Sequence, residues 1–279
     1  MILVVGASAH FGRQTVEALV GAGRKVRALS RDPQGAGLPE CVEVVRGDLT
    51  RPETLCAAVD GVSELMLVLP YGMEVRPLLA EARRAGVRQV VFLSSGAIRD
   101  DVETQSDVIS AYHAQVEREI RNTGLEWTFM RVLFPAINSL AWAMQLKGGD
   151  LVRGPHATAS ASVVHERDVA EAAAAVLGSG EHAGRVYQLT GPAALTQSEQ
   201  VRVLGHALGR ELRFEEVPEQ IVREQLSRFM DAEFVAALLG LMATATSTPA
   251  LVDDTVERLT GHPARTYAQW AADHLTDFR

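Results

Sequence analysis

A glycine-containing loop near the start of the chain has the composition of a phosphate-binding turn. Gly6, Ala9 and Gly12 occupy the three spaced positions of a GxxGxxG pattern, between an apolar run and an amphipathic one. Glycine permits a tight turn and lets backbone N–H groups approach a pyrophosphate, while the following helix N-terminus adds partial positive charge. The residues that we expect to contact a dinucleotide are Gly6, Ser8, Ala9, His10, Phe11 and Gly12. The structural alternative is a simple strand-to-helix turn.

Alanine at the middle position of this loop departs from the glycine pattern. A β-carbon at Ala9 narrows the approach to phosphate, or strains the backbone if the loop requires a positive φ there. We therefore expect weaker cofactor binding or a slightly rebuilt loop.

The end of the second apolar run bears on which dinucleotide is bound. NAD-binding proteins usually place an acidic residue here for the ribose 2′-hydroxyl, whereas this chain has Ser30 and Arg31. A guanidinium forms paired, charge-assisted hydrogen bonds to a 2′-phosphate, and Arg13 could supply a second cation. Solvated surface arginines are the alternative, and the neighbouring Asp32 could serve a ribose. The pattern favours NADP(H) over NAD(H).

Asp48 and Leu49, after the third apolar run, are suited to an adenine ring. The carboxylate can accept a hydrogen bond from the adenine amino group while the leucine packs on the ring face. The alternative role for Asp48 is to cap the helix that begins at Pro52, although Thr50 is better placed for that cap.

A tyrosine–lysine pair for proton donation is absent, because no tyrosine is followed four residues later by lysine. His113, in the helix after the fifth apolar run, is our first catalytic candidate. Its imidazole could hydrogen-bond the nicotinamide ribose or donate a proton to a reduced oxygen. The alternative is an ion pair with Glu117, four residues later, on a solvated helix face.

Tyr71 is the second catalytic candidate and a substrate-binding candidate, because the segment after the fourth apolar run should pass beside the nicotinamide ribose. Tyr112 could instead direct its phenol into the pocket. Further cofactor contacts are expected from Leu69, Pro70, Ser94 and Phe134. Further substrate contacts are expected from Asn138 and Trp142, with Phe134 and Met144 beside them.

Metal and hydrolase chemistry find no support in the motifs. The histidines lack metal-ligand spacing, and neither HExxH nor GxSxG occurs. The charged run His165-Glu166-Arg167-Asp168 is expected to cap the alanine-rich helix that follows and to tie two regions of the chain together.

The elements that must position these residues alternate between β-branched and amphipathic runs. Apolar runs predict parallel strands buried on both faces, and the intervening periodicity predicts crossover helices. The predicted strands are 1–5, 26–29, 42–45, 65–69, 90–93 and 126–132, and the predicted helices are 11–22, 52–59, 74–85 and 109–122. This cadence predicts an α/β fold with a doubly wound parallel Rossmann sheet.

The cadence changes after Pro135. We expect a short apolar helix over 136–146, strands at 160–164 and 186–189, and a helix over 168–177. The predicted NAD(P)-binding domain is 1–155, to which 160–190 returns. A smaller, mainly helical substrate-capping region is predicted over 191–279.

Composition limits the partners. The net charge of −8 argues against nucleic-acid binding, and no apolar run is long enough to span a membrane. The two cysteines lack CxxC spacing, so a disulfide framework is not expected. We expect a cytoplasmic protein with a small-molecule substrate and, as a possible assembly, a homodimer.

Taken together, the motifs resemble those of the NmrA-like family of atypical short-chain dehydrogenase/reductases, over nearly the whole chain. The segments that carry the resemblance are 6–12, 26–33, 47–49, 94–95, 124–131, Asn138, 168–170, 189–192 and 255–263. The resemblance implies a Rossmann fold and an NADP(H) cofactor. It also implies a role for His113, since several members place a functional lysine or histidine at the start of this helix.

The family contains NADPH-dependent quinone and dye reductases, isoflavone-type reductases, and proteins that only sense the dinucleotide. The expected function is therefore reduction of a quinone-like or conjugated small molecule by NADPH. A non-enzymatic dinucleotide sensor, or an isomerase or cyclase on the same fold, is the alternative.

Overall fold

The computed structural model describes all 279 residues. Its strands are β1 (Ile2–Val5), β2 (Val26–Ser30), β3 (Glu43–Arg46), β4 (Glu64–Leu67), β5 (Gln89–Ser95), β6 (Glu126–Val132), β7 (Leu151–Gly154), β8 (Ser160–Ala161), β9 (Arg185–Leu189), β10 (Leu195–Thr196) and β11 (Arg213–Glu216). Its α-helices are α1 (His10–Gly21), α2 (Cys56–Val59), α3 (Arg76–Arg84), α4 (Val108–Arg121), α5 (Ala143–Leu146), α6 (Glu166–Val176), α7 (Gln197–Leu208), α8 (Glu219–Leu226), α9 (Ala232–Thr244), α10 (Thr255–Thr260) and α11 (Tyr267–Asp273). Short 3-10 helices cover Pro52–Thr54, Ala136–Trp142, Gly180–His182 and Leu275–Phe278.

Seven strands form one sheet in the order β3-β2-β1-β4-β5-β6-β9, and every neighbouring pair is parallel. The chain moves outward from β1 to β3 and then returns to place β4 on the other side of β1. The carboxyl ends of β1 and β4 therefore form the switch point at which ligands bind in such sheets. The predicted doubly wound α/β fold is confirmed.

Helices cover both faces of the sheet, which explains why the strands are apolar without alternation. On one face, α1, α6 and α10 pack over side chains such as Val4 and Met130. On the other face, α2, α3 and α4 pack over side chains such as Leu65 and Phe92. Helix α4, which carries the catalytic candidate His113, is thus packed against β5 and β6.

A third core stabilises the remainder of the chain. It joins Val152 on β7, Leu204 on α7 and Trp270 on α11, with Phe278 near the end of the chain. Two small sheets, β8 with antiparallel β10 and β7 with parallel β11, flank this core. No helix is both long and apolar enough to cross a bilayer.

Several predicted bounds are wrong. The fourth strand ends at Leu67, so Leu69 lies in the loop at the switch point. The predicted strand 160–164 is reduced to Ser160–Ala161, and Val164 forms only an isolated bridge to Pro135. The predicted apolar helix 136–146 is a 3-10 helix followed by α5. Strands β7 and β11 were not predicted, since each is short and pairs only with the other.

Candidate cofactor and active site

The glycine loop is packed so closely that neither Gly6 nor Gly12 has room for a side chain. Gly6 has a φ of +78°, and a β-carbon there would lie 2.2 Å from the carbonyl oxygen of Val68. A β-carbon on Gly12 would lie 2.1 Å from the carbonyl oxygen of Gly6. No side chain caps the N-terminus of α1, so its first N–H groups are available to an anion. This geometry fits a dinucleotide pyrophosphate.

The strain that we considered at Ala9 is absent. Ala9 has a φ of −80° and a ψ of 161°, which is extended backbone that any residue adopts. Its N–H donates to the carbonyl of Gly6 at 3.0 Å, and its carbonyl accepts from the N–H of Arg13 at 2.8 Å. Alanine therefore replaces glycine here at no conformational cost.

The residues predicted to read the adenosine end lie at the ends of β2 and β3. Arg31 is exposed, and its side chain makes neither a hydrogen bond nor an ion pair. Arg13 instead donates to the carbonyls of Ala36, at 2.9 Å, and Gly37. Its guanidinium therefore ties the loop after β2 to α1. Recognition of a 2′-phosphate by Arg31 stays a prediction.

Asp48 accepts hydrogen bonds through one oxygen from the N–H of Thr50, at 2.9 Å, and from its hydroxyl, at 2.8 Å. These bonds lower the pKa of Asp48, and the positive charges of Arg31 and Arg51 lower it further. The expectation that Thr50 caps the next helix is wrong, because Arg51 precedes Pro52 and no side chain caps that turn.

His113 does not pair with Glu117. Its Nδ1 lies 2.8 Å from the carbonyl oxygen of Ile109, and its ring stacks on Phe92 with a centroid separation of 6.0 Å. Burial lowers the pKa of His113, so the imidazole is neutral near pH 7. A carbonyl only accepts, so Nδ1 carries the hydrogen and Nε2 presents a lone pair. The alternative of a solvated ion pair is therefore wrong.

Glu117 belongs to a buried ionic network that was not predicted. Its oxygens accept from the guanidinium of Arg131, at 2.8 and 2.9 Å, and from the hydroxyl of Ser94, at 2.7 Å. Arg131 also binds both oxygens of Asp100, at 2.7 and 2.8 Å. The network joins α4, β5, β6 and the loop after β5, and it engages the Ser94 hydroxyl.

Tyr112 does not direct its phenol into the cofactor pocket. The hydroxyl donates to the carbonyls of Pro70, at 3.0 Å, and Met73, at 2.9 Å, and so fixes the loop after β4. Burial raises the pKa of Tyr112 to about 12. Tyr71 lies against it, with ring centroids 5.2 Å apart, and also contacts Phe234 of α9 at 4.9 Å.

The substrate candidates lie beyond the carboxyl end of β6. Phe134 and Trp142 are half-buried and pack against the third core, whereas Asn138 and Met144 are exposed. All four belong to or flank the 3-10 helix Ala136–Trp142 and α5. Their contact with a substrate remains a prediction.

The charged run at the start of α6 performs the structural role expected of it. The His165 side chain accepts a hydrogen bond from the N–H of Arg167 and caps α6. Glu166 accepts from the indole N–H of Trp270 at 3.1 Å, and buried Asp168 binds Arg265. The C-terminal helices are thereby tied to the large sheet.

Asp168, Glu171 and His262 lie close enough to share a metal ion, since their potential ligand atoms are within 4.8 Å of one another. Arg265 binds both carboxylates. The group therefore has an internal cation and is explained without a metal.

Comparison with known proteins agrees with this geometry. A profile described as the NmrA-like family matches residues 1–257. The chain belongs to the NmrA-like family. The resemblance identified from the sequence is thus confirmed, and it covers the sheet, the glycine loop and most of the C-terminal region.

Among the relatives of this NmrA-like protein is the (4-alkanoyl-5-oxo-2,5-dihydrofuran-3-yl)methyl phosphate reductase of Streptomyces griseus subsp. griseus. It is 36% identical over 100% of this chain and 99% of its own. The NAD(P)H azoreductase of Xenophilus azovorans is 31% identical over 100% of this chain and 99% of its own. Among solved structures, the NADPH complex of a quinone oxidoreductase from Escherichia coli has a TM-score of 0.81 at 22% identity, covering 99% of this chain and 100% of that one.

Proposed function

We propose that the protein is an NADPH-dependent reductase of a quinone-like or conjugated small-molecule acceptor. The glycine cradle at the switch point carries this proposal, because a β-carbon at Gly6 would meet the Val68 carbonyl at 2.2 Å. A backbone packed this closely leaves the N–H groups of the loop and of α1 as the binding surface. When bound, NADPH supplies the hydride.

The class of acceptor follows from the absence of a tyrosine–lysine pair for proton donation. Without a tyrosine–lysine pair, an alcohol–ketone substrate would have little help with its proton, whereas a quinone or conjugated carbonyl needs less. The names of the relatives agree, since an azo compound and a lactone with a conjugated ring carbonyl are both electron-poor π systems. We therefore place the substrate among such acceptors.

Tyr71 is the hydroxyl that we assign to the acceptor. Its side chain is 42% exposed, and its hydroxyl has no hydrogen-bond partner in the protein. Burial and the charge of Asp231 raise its pKa, so the phenol keeps its proton and donates a hydrogen bond. The region 191–279, whose helix α9 contacts Tyr71 through Phe234, is assigned to cap the acceptor site.

A dinucleotide sensor without turnover is the weaker candidate. Two observations favoured it, the alanine in the glycine loop and the missing tyrosine–lysine pair. The extended backbone of Ala9 removes the first argument. The second loses its force if the acceptor needs little proton transfer.

The direct experiment is NADPH oxidation, measured at 340 nm, with a benzoquinone, an azo dye and an alkylidene butenolide as acceptors. We expect acceleration with at least one acceptor class. A chain that binds NADPH tightly but accelerates none of them would contradict the reductase and favour the sensor.

We expect the substitution Arg31→Asp to weaken NADPH binding about tenfold to a hundredfold, because it replaces a charge-assisted partner of the 2′-phosphate by a repelling carboxylate. NADH binding should change much less. Titration calorimetry with both cofactors measures the difference. Arg118→Asp, at an exposed arginine on α4 without a partner, is the matched control. Equal losses for both cofactors would show that Arg31 does not recognise the 2′ position.

We assign His113 to cofactor positioning, because its Nε2 lone pair can accept a hydrogen bond from a ribose hydroxyl but carries no proton to donate. His113→Ala should weaken NADPH binding about threefold to tenfold, the value of one hydrogen bond, and leave kcat at saturation within about twofold. His206→Ala, at an exposed histidine of α7, is the control. A kcat loss of about a hundredfold with normal affinity would instead make His113 the proton donor.

A further inference from the structure

A polar cavity of about 240 Å³ lies beside the glycine loop, where α1 begins. Its walls come from distant parts of the chain. The loop and α1 contribute Ser8, Ala9, His10, Arg13 and Gln14, whereas α6 and the segment after α11 contribute Glu166 and His274. Glu166 and His274 therefore border the surface that we assign to the pyrophosphate.

Glu166 is a carboxylate with 2% of its surface exposed. It accepts hydrogen bonds from the indole of Trp270, at 3.1 Å, and from Nε2 of His274, at 2.6 Å. Burial acts to raise the pKa of Glu166, but the hydrogen bonds that this carboxylate accepts, including that from His274, outweigh burial and hold the pKa well below its usual value. The glycine loop thus has an ionised carboxylate at its side.

His274 compensates this charge. Its Nε2 bonds to Glu166 at 2.6 Å and its Nδ1 to Asp277 at 2.7 Å. Both partners accept, so both ring nitrogens donate and the ring is an imidazolium. Burial acts to lower the pKa of His274, but these two hydrogen bonds outweigh it and raise the pKa. No N–H of the ring is left to contact a ligand.

The other charged groups around Glu166 and His274 form most of their contacts with other residues. Arg13 bonds to loop carbonyls, and Arg167 pairs with Asp273 at 3.0 Å. His165 lies 3.4 Å from Glu166 but also 3.3 Å from Asp273. The titratable and charged groups that face Glu166 and His274 are His10, Arg13, His165, Arg167, Asp273 and Asp277.

We infer that His274 is a positioning residue of the dinucleotide site: its imidazolium cancels the charge of Glu166 beside the glycine loop and so permits an anionic pyrophosphate to bind there. An uncompensated carboxylate bordering the same cavity would repel the pyrophosphate through a partly buried medium, in which charges are weakly screened. The inference rests on the proposed function only for the dinucleotide as ligand, and it does not require turnover.

A pH dependence follows from the same geometry. An anion beside the cluster favours protonated His274, so binding and protonation assist each other. Since the pKa of His274 is raised, the favourable state is fully present at low pH and is lost as the pH rises through that pKa. Cofactor affinity should therefore decrease toward alkaline pH.

The test is His274→Gln, with NADPH and NADH dissociation constants measured between about pH 6 and about pH 9. We expect about tenfold weaker binding of both cofactors near neutral pH, and a flatter pH profile than that of the wild type. Using both cofactors separates this effect from the titration of the 2′-phosphate, which NADH lacks.

His262→Gln is the matched control. His262 also bonds to a carboxylate of α6, Glu171, at 2.6 Å, and it ties the same C-terminal region to that helix. It does not border the cavity. We expect unchanged cofactor affinity in this variant, although its thermal midpoint falls with that of His274→Gln.

The double variant Glu166→Gln, His274→Gln removes the carboxylate together with its counter-charge. We expect it to recover affinity to within about threefold of the wild type, which loss of structure alone would not allow. Normal affinity in His274→Gln, an equal loss in His262→Gln, or no recovery in the double variant would each overturn the inference. A wild-type chain that binds NADPH without turnover would remove only the proposed reductase activity.

Discussion

Replacement of Gly6 by alanine is expected to reduce NADPH affinity by about 10²- to 10⁴-fold, the loss of about two charge-assisted hydrogen bonds. The added β-carbon would lie 2.2 Å from the Val68 carbonyl oxygen, and the φ of +78° disfavours any side chain. One of the two loops at the switch point must move, and the N–H groups that face the pyrophosphate move with it. Titration calorimetry with NADPH measures the loss.

Two neighbouring substitutions separate this steric effect from a general sensitivity of the loop. Ala9→Gly should change the affinity by less than about twofold, because Ala9 already has an unstrained backbone. Gly21→Ala, at the end of α1, should also leave affinity unchanged, since nothing lies within 4 Å of its added β-carbon. A Gly6→Ala protein that binds NADPH as tightly as the wild type would refute the assignment of the cradle.

The sheet and the cradle were accessible from the sequence because local pattern decides them. Strand 126–132 was predicted at the bounds that the structure shows, since its aromatic and β-branched residues follow Gly124, a residue that ends the preceding helix. The conformation of Ala9 was not accessible, because it depends on how the loop meets β4. Spacing indicates that a turn occurs, but not which of its residues has a positive φ.

His113 shows where a local reading failed although the information was present. The spacing to Glu117 suggested an exposed ion pair. However, Val116 and Ile120 are buried, and residues 113, 116, 117 and 120 share one face of α4. Helical periodicity therefore places Glu117 on the apolar side. A glutamate there requires a buried cation, and only the fold identifies Arg131 as that cation.

The contact between Glu166 and His274 was likewise not accessible from the sequence. The run His165–Asp168 was recognised as charged enough to join two regions, but its partners lie about a hundred residues later in the chain, as in the bond from His274 to Glu166. No periodicity connects them, because the contact arises from packing of the third core. The border that Glu166 and His274 share with the glycine loop is a property of the tertiary structure alone.

Arg131→Met is expected to destabilise the protein by about 3–5 kcal/mol, because it leaves Glu117 as a buried charge without its main partner. The side chains of Arg131 and Glu117 are 2% and 1% exposed, so water cannot replace the lost contacts. Arg121, at 3.1 Å, retains one contact with Glu117, which limits the loss to this range. Urea denaturation followed by circular dichroism measures the free energy of unfolding.

Asp100→Asn is the matched control, since Asp100 binds the same guanidinium but is 70% exposed. Its hydrogen bond to Arg131 lowers its pKa, so it stabilises the protein above its unfolded pKa and this contribution is lost as the pH falls. We expect Asp100→Asn to cost about 1 kcal/mol or less. Adding Glu117→Gln to Arg131→Met should recover part of the loss, since the uncompensated charge is then removed. If the double variant is instead less stable than Arg131→Met, the charge of Glu117 is stabilised chiefly by Ser94 and Arg121, and Arg131 is not its main partner.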